Sequence, residues 1–185
     1  MSLTPSSMLD LGTKAPDFAL FDVVSQKTQS LFELKGEQGT VIFFICNHCP
    51  YVKHIEKAIV DVAHNYSMKG FSFVAINAND ANAYPEDSPE RMRETAMQLN
   101  FNFPYVFDET QQIAKAYQAE CTPDFYVFNR NLNLVYRGQF DNARPANSNI
   151  ANGIDLTNAL DALLQNEHPS RLQKPSIGCN IKWKK

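Results

Sequence analysis

The stretch Val41-Ile42-Phe43-Phe44-Ile45-Cys46-Asn47-His48-Cys49-Pro50 decides the fold. Its first five residues are β-branched or aromatic, with no polar residue among them. A strand of this kind is buried on both faces, as in the centre of an α/β sheet. After Pro50 the period changes. Val52, Ile55, Ile59, Val62 and Tyr66 recur at intervals of three and four, while Lys53, His54, Glu56, Lys57 and Asp61 fall elsewhere on the wheel. Pro50 has no N–H and suits only a first helical turn, so the helix starts at about 47–49, on the Cys-x-x-Cys itself.

Upstream, Phe18-Ala19-Leu20-Phe21 and Leu31-Phe32 flank a polar turn at Ser25-Gln26-Lys27, which predicts a small β-hairpin. Downstream, Gly70 closes the helix and residues 71–76 form a second buried strand. Ser88-Pro89 opens a helix reaching about Asn100. A short strand at 105–107, a helix at 111–119 and strands at 125–128 and 134–137 follow. Asp155 is expected to cap a last helix carrying Leu156, Leu160, Leu163 and Leu164. A β-hairpin followed by β-α-β-α-β-α-β-β-α predicts an α/β fold, a mixed central sheet flanked by helices. Residues 1–11 read as a flexible leader. Residues 167–185 read as a C-terminal tail whose Trp183 and isoleucines dock it on the body.

Composition bounds the function. A chain of 185 residues with 44% hydrophobic and 20% charged residues is one ordinary globular domain with extensions. A net charge of −3 offers no basic field for nucleic acid or an anionic membrane. The start has neither a basic cluster nor an apolar core, so no secretory signal is read and the expected location is cytoplasmic. Four cysteines are too few for a disulfide scaffold, and in a reducing compartment a Cys-x-x-Cys reads first as redox chemistry or metal binding.

The nucleophile of thiol chemistry is the thiolate, and helix N-terminal N–H groups favour it. Cys46, at the strand end, is expected to be exposed, to have a lowered pKa and to attack. Cys49, inside the first turn, would resolve the mixed disulfide. His48, when protonated, would stabilise the Cys46 thiolate further. A zinc site would need two more ligands, and Cys121 and Cys179 supply no second paired motif. Neither metal nor other cofactor is therefore expected. Cys121 and Cys179 read first as small buried hydrophobes and second as accessory thiols. Pro123, just before the buried run 125–128, reads as a turn. His54, His64 and His168 read as surface or satisfied histidines, and the acidic loop from Asp80 to Asp87 reads first as solvated surface and second as a screen for partners near the site.

Taken in order, Ala15-Pro16-Asp17-Phe18, the strand into Cys46-Asn47-His48-Cys49-Pro50, Phe103-Pro104-Tyr105-Val106-Phe107-Asp108 and Thr122-Pro123-Asp124-Phe125 resemble the thioredoxin superfamily. More narrowly, the chain resembles redoxin-type proteins related to alkyl hydroperoxide reductase and thiol-specific antioxidant. The resemblance covers about residues 12–166 and implies a thioredoxin-like domain there. It also implies that Pro123 is a cis-proline beside the active-site cysteines, and that Thr122 and Asn47 help to bind substrate, the Thr122 backbone by pairing with a substrate strand. Three departures stand out. Asn47-His48 replaces Gly-Pro. Thr40 occupies the position of the buried Asp that assists resolution, leaving Glu56 as a substitute base. Ile42 and Cys46 stand where the peroxiredoxin pattern has Pro and Thr before Cys49.

The leading expectation is a thiol–disulfide oxidoreductase acting in cell redox homeostasis. Its partners would be a protein or small-molecule disulfide and an external thiol reductant, with the chain a monomer or homodimer. The alternatives are a thiol-dependent peroxidase and a non-enzymatic thioredoxin-like binding module or metal carrier.

Overall fold

The run at 41–45 emerges in an interior strand of a seven-stranded mixed sheet in the computed structural model, which describes residues 3–185. In chain order the elements are β1 (Leu3–Pro5), β2 (Ala19–Asp22), β3 (Lys27–Ser30), α1 (Leu31–Leu34), β4 (Gly39–Phe44), α2 (Pro50–Ser67) and β5 (Phe71–Asn77). Then come α3 (Pro89–Gln98), β6 (Tyr105–Phe107), α4 (Gln112–Ala116), β7 (Cys121–Thr122), β8 (Asp124–Asn129), β9 (Leu134–Gly138), α5 (Ile154–Leu164) and β10 (Ile177–Asn180). The large sheet has the order β3-β2-β6-β5-β4-β8-β9. β4 runs parallel to β5 and antiparallel to β8.

Every residue of β4 is buried, yet alternate side chains enter different cores. Val41 and Phe43 join the layer holding Ile55, Ile59, Leu156 and Leu160 of α2 and α5. Ile42 and Phe44 join the layer holding Leu31 of α1, Ala114 of α4 and Tyr117. Phe43 stacks on Phe125 with ring centroids 5.4 Å apart, and Phe44 meets Tyr117 edge-on at 5.8 Å. Each such side chain, fully buried, contributes about 1.5–3 kcal/mol. The rigid floor under the Cys-x-x-Cys comes from this two-sided burial.

Four details differ from the sequence reading. Leu31-Phe32 opens a short helix instead of a second hairpin strand, because Ser30 and Glu33 close a capping box. The hairpin strands are β2 and β3. Gly153, not Asp155, is the N-cap of α5, and Asp141 Oδ2 accepts from the Asn152 and Gly153 amides at 2.7 Å each. The leader is not loose where it is described: β1 pairs with β10, the Ser6 N–H donates to Ser176 O at 2.9 Å, and Leu9 is buried. Residues 1 and 2 of that leader lie outside the described residues. The tail closes a second, three-stranded sheet of order β1-β10-β7. Among the described residues, no helix is long and apolar enough to cross a membrane.

Candidate active site

β4 ends at Phe44, and the Ile45 N–H still donates to Ile76 O at 3.0 Å. Cys46 therefore leaves the sheet where β4 delivers the chain to α2. Cys49 is the N-cap of α2, in extended conformation, with Pro50 in the first turn. Both sulfurs face the peptide before Pro123, which is cis, the form the resemblance implies. Cys46 Sγ lies 3.5 Å from Thr122 Oγ1, and Cys49 Sγ lies 3.2 Å from Thr122 O. No disulfide links the four cysteines.

The sequence reading missed Asp87. It sits in a short 3-10 turn, Pro85–Asp87, and is fully buried. Its Oδ1 accepts from the Asn47 amide at 2.7 Å. Its Oδ2 pairs with His48 Nδ1 at 2.6 Å and accepts from Asn79 Nδ2 at 2.8 Å. Asn47 Nδ2 donates to Glu86 O, and Tyr105 OH donates to Asn47 Oδ1. Tyr84 stacks on the His48 ring, with centroids 5.4 Å apart and planes 9° apart. The loop read as solvated surface thus folds over the Cys-x-x-Cys. The sequence signal was weak: an acid directly before a Ser-Pro helix start. Asn47, expected to bind substrate, is tied by these contacts to the loop.

Electrostatics follow from that loop. The hydrogen bond to Asp87 raises the His48 pKa above its usual value, against the opposing effect of partial burial. Burial pushes the Asp87 carboxyl up, but hydrogen bonds from His48, Asn79 and the Asn47 amide prevail and hold it below the ordinary range. The His48 charge is therefore directed to Asp87 and not to Cys46.

Two expectations about Cys46 fail on this geometry. It is only 2% exposed: Thr122 lies against its sulfur, and Asp87 holds the 80–87 loop against the adjoining Asn47 amide. Its thiol is also pushed well up, by hydrogen bonding to Cys49 first, then by burial and by the Asp87 charge. The lowered thiol is Cys49, at about 5. Hydrogen bonding from Cys46 is the largest cause, and the Cys179 thiol, the Val52 amide and Thr122 add to it against burial. The two sulfurs titrate as a pair with one proton between them. As a thiol, Cys49 donates to Thr122 O. As a thiolate, it accepts from both neighbouring thiols.

The Thr122 edge is also not open to a substrate strand, since β10 occupies it with Cys179 opposite Thr122. Cys179 Sγ is 3.0 Å from Cys49 Sγ, which puts this cysteine at the site. Cys121 is fully buried and packs towards Pro123 O at 4.0 Å, with burial pushing its thiol far up. Glu56 lies two helical turns from Cys49, about 10 Å along the axis, too far to serve as its base. Thr40 Oγ1 accepts from the Gly36 amide and takes no part. His54, His64 and His168 are exposed.

The donor atoms of Cys46, His48 and Asp87 lie within 4.8 Å of one another, a set able to hold a metal ion. Both Asp87 oxygens are already engaged, so an ion here would have to replace the His48 pairing.

The AhpC/TSA family model matches residues 11–137. The chain belongs to the AhpC/TSA family. Over its whole length it is 53% identical to an uncharacterized conserved protein from Geobacillus kaustophilus, covering 97% of that chain at a TM-score of 0.98. It is 44% identical to a hypothetical protein from Sinorhizobium meliloti 1021, covering 98% of each chain at a TM-score of 0.95. A thiol:disulfide interchange protein of the thioredoxin family from Chlorobium tepidum TLS is 17% identical, with 84% of this chain and 99% of that one covered at a TM-score of 0.64. That likeness carries the fold alone, which is thioredoxin-like. Comparison with the curated proteins found no match. AhpC/TSA proteins are oxidoreductases in general, and the fold of this chain is theirs.

Proposed function

We propose that the protein is a thiol–disulfide oxidoreductase working through the Cys46–Cys49 pair. One observation carries this reading: two sulfurs at a strand–helix junction both lie against Thr122, the residue joined by a cis peptide to Pro123. Cys46 attacks one sulfur of a client disulfide and passes its proton to the Cys49 thiolate. A mixed disulfide forms, and the first client sulfur leaves as a thiolate. Cys49 then returns the proton to that leaving group and attacks Cys46, releasing the second client thiolate and closing a Cys46–Cys49 disulfide. An external thiol restores the dithiol. A groove lined by Asp80, Tyr84, Asn180, Lys182 and Trp183 lies next to the site, where Tyr84 stacks on His48.

A peroxidase would draw on the same anion. The Cys49 thiolate would take an oxygen from a peroxide as sulfenic acid, and a neighbouring thiol would condense with it. Ile42 and Cys46, where a peroxiredoxin has Pro and Thr, weigh against this.

Insulin disulfide reduction with dithiothreitol as donor tests the proposal. Catalysis above the uncatalysed rate, abolished by Cys46→Ser, is expected. A Cys46→Ser protein as fast as the wild type would refute it. Rapid thiol loss with micromolar peroxide in place of insulin reduction would favour the peroxidase.

A further inference from the structure

β10 brings a third sulfur to the site and holds it in register. Cys179 lies opposite Thr122 on one side and Leu3 on the other. Its Sγ is 3.0 Å from Cys49 Sγ, and a disulfide requires about 2.05 Å, so roughly 1 Å of approach would join them. The preceding residue makes the close packing possible. A Cβ on Gly178 would lie 1.9 Å from Thr122 O and 3.2 Å from Pro123 Cδ. Ser176 fixes the strand again on the other side of the cis-proline: its Oγ donates to Pro123 O, and its N–H donates to Ser6 Oγ at 2.9 Å. Backbone pairing, a required glycine and a side-chain clamp all aim Cys179 at Cys49.

We propose that Cys179 is a redox thiol of this site, forming a disulfide with Cys49 by exchange within the chain. The proposal rests on reading Cys46–Cys49 as the redox pair. Cys179 loses its proton and attacks Cys49 in the Cys46–Cys49 disulfide. The Cys49–Cys179 bond forms and the Cys46–Cys49 bond breaks. The electron pair leaves on Cys46, which takes up a proton. The exchange involves no net oxidation, so it needs no further oxidant. It leaves the chain oxidised with Cys46 released as a thiol, and it ties the tail covalently to the mouth of the site. Cys121 has no place in the exchange, because its sulfur packs towards the Pro123 carbonyl.

The test reads disulfide connectivity in the full chain. Wild type, Cys46→Ser, Cys46→Ala and Cys179→Ala are equilibrated in glutathione buffers of graded poise, trapped with N-ethylmaleimide in acid and mapped by peptide mass spectrometry. Wild type should yield both Cys46–Cys49 and Cys49–Cys179 peptides. The two Cys46 variants should oxidise to Cys49–Cys179 alone. Absence of the Cys49–Cys179 peptide from wild type and both Cys46 variants, at every poise, overturns the role of Cys179. Failure of Cys179→Ala to form Cys46–Cys49 strikes the underlying redox reading instead, so the two failures are separable.

Discussion

His48 Nδ1 and Asp87 Oδ2 meet at 2.6 Å across thirty-nine residues of sequence, so the histidine between the two cysteines is bound to a buried carboxylate. The pairing decides where charge sits at the site. A protonated His48 aimed at Cys46 would make Cys46 the thiolate. Paired with Asp87, it is held by the carboxylate, and the Cys46 thiol, pushed up first by its hydrogen bond to Cys49, then by burial and by Asp87, leaves the anion on Cys49.

Asp87→Asn should release His48. The pKa of His48 is raised in the folded chain, so its contribution to stability is complete below about 6.5 and fades as pH climbs through the folded value. Asp87 is lowered, so its contribution is complete above about 3.9 and fades as pH drops through its folded value. The variant should lose roughly 1.5–3 kcal/mol between these limits. NMR titration should show the His48 pKa falling towards its ordinary value. An unchanged His48 titration in Asp87→Asn would contradict the pairing.

Thiolate absorbance against pH should assign the anion. The wild type should show a transition near 5. Cys49→Ser should remove it, whereas Cys46→Ser should keep an anion below the ordinary thiol range, because the Cys179 thiol still lowers the Cys49 pKa. The reverse pattern, with the transition lost only in Cys46→Ser, would return the thiolate to Cys46.

What was legible in the sequence was local. The run 41–45 followed by apolar spacings of three and four gives β4 and α2, because burial and helical period leave direct marks in residue order. Ser30-x-x-Glu33 was legible too, and a capping box read there would have given α1. The site's surroundings were not. Asp87 has the composition of a surface loop until a partner thirty-nine residues away is known. Cys179 is one cysteine in a tail until β10 pairs with β7. The exposure of Cys46 was not legible for the same reason, since Thr122 and the Asp87 loop meet it from distant parts of the sequence.

Gly178→Ala should loosen the tail from the site. The added methyl would meet the Thr122 carbonyl at 1.9 Å, backbone against side chain, with no flexible group to yield. Overpacking of this kind destabilises by about 1–3 kcal/mol. If β10 alone is displaced, opening of the site becomes roughly 5- to 150-fold more frequent. Cys46 and Cys49 should then react with iodoacetamide faster by a similar factor, and the tail should become sensitive to trypsin at Lys182. Alkylation at the wild-type rate would show that β10 does not control access to the sulfurs.

Asp124 supplies a second pH dependence, on the far side of the cis-proline. It is fully buried and accepts from Tyr126 OH at 2.8 Å. Burial is the largest cause that lifts its carboxyl from 3.8 to about 8. The groups facing it, Cys121 and Tyr126, are themselves pushed up by burial and stay neutral through that range. The sign is opposite to that of Asp87. Between about 4 and 8 the unfolded chain has released this proton and the folded chain still holds it, so stability falls as pH rises across the window. Denaturant titrations at a series of pH values should show the decline in wild type. Asp124→Asn, which keeps an acceptor for Tyr126 and has no proton to lose, should flatten it. Equal slopes in the two proteins would mean that Asp124 is already ionised in the folded chain.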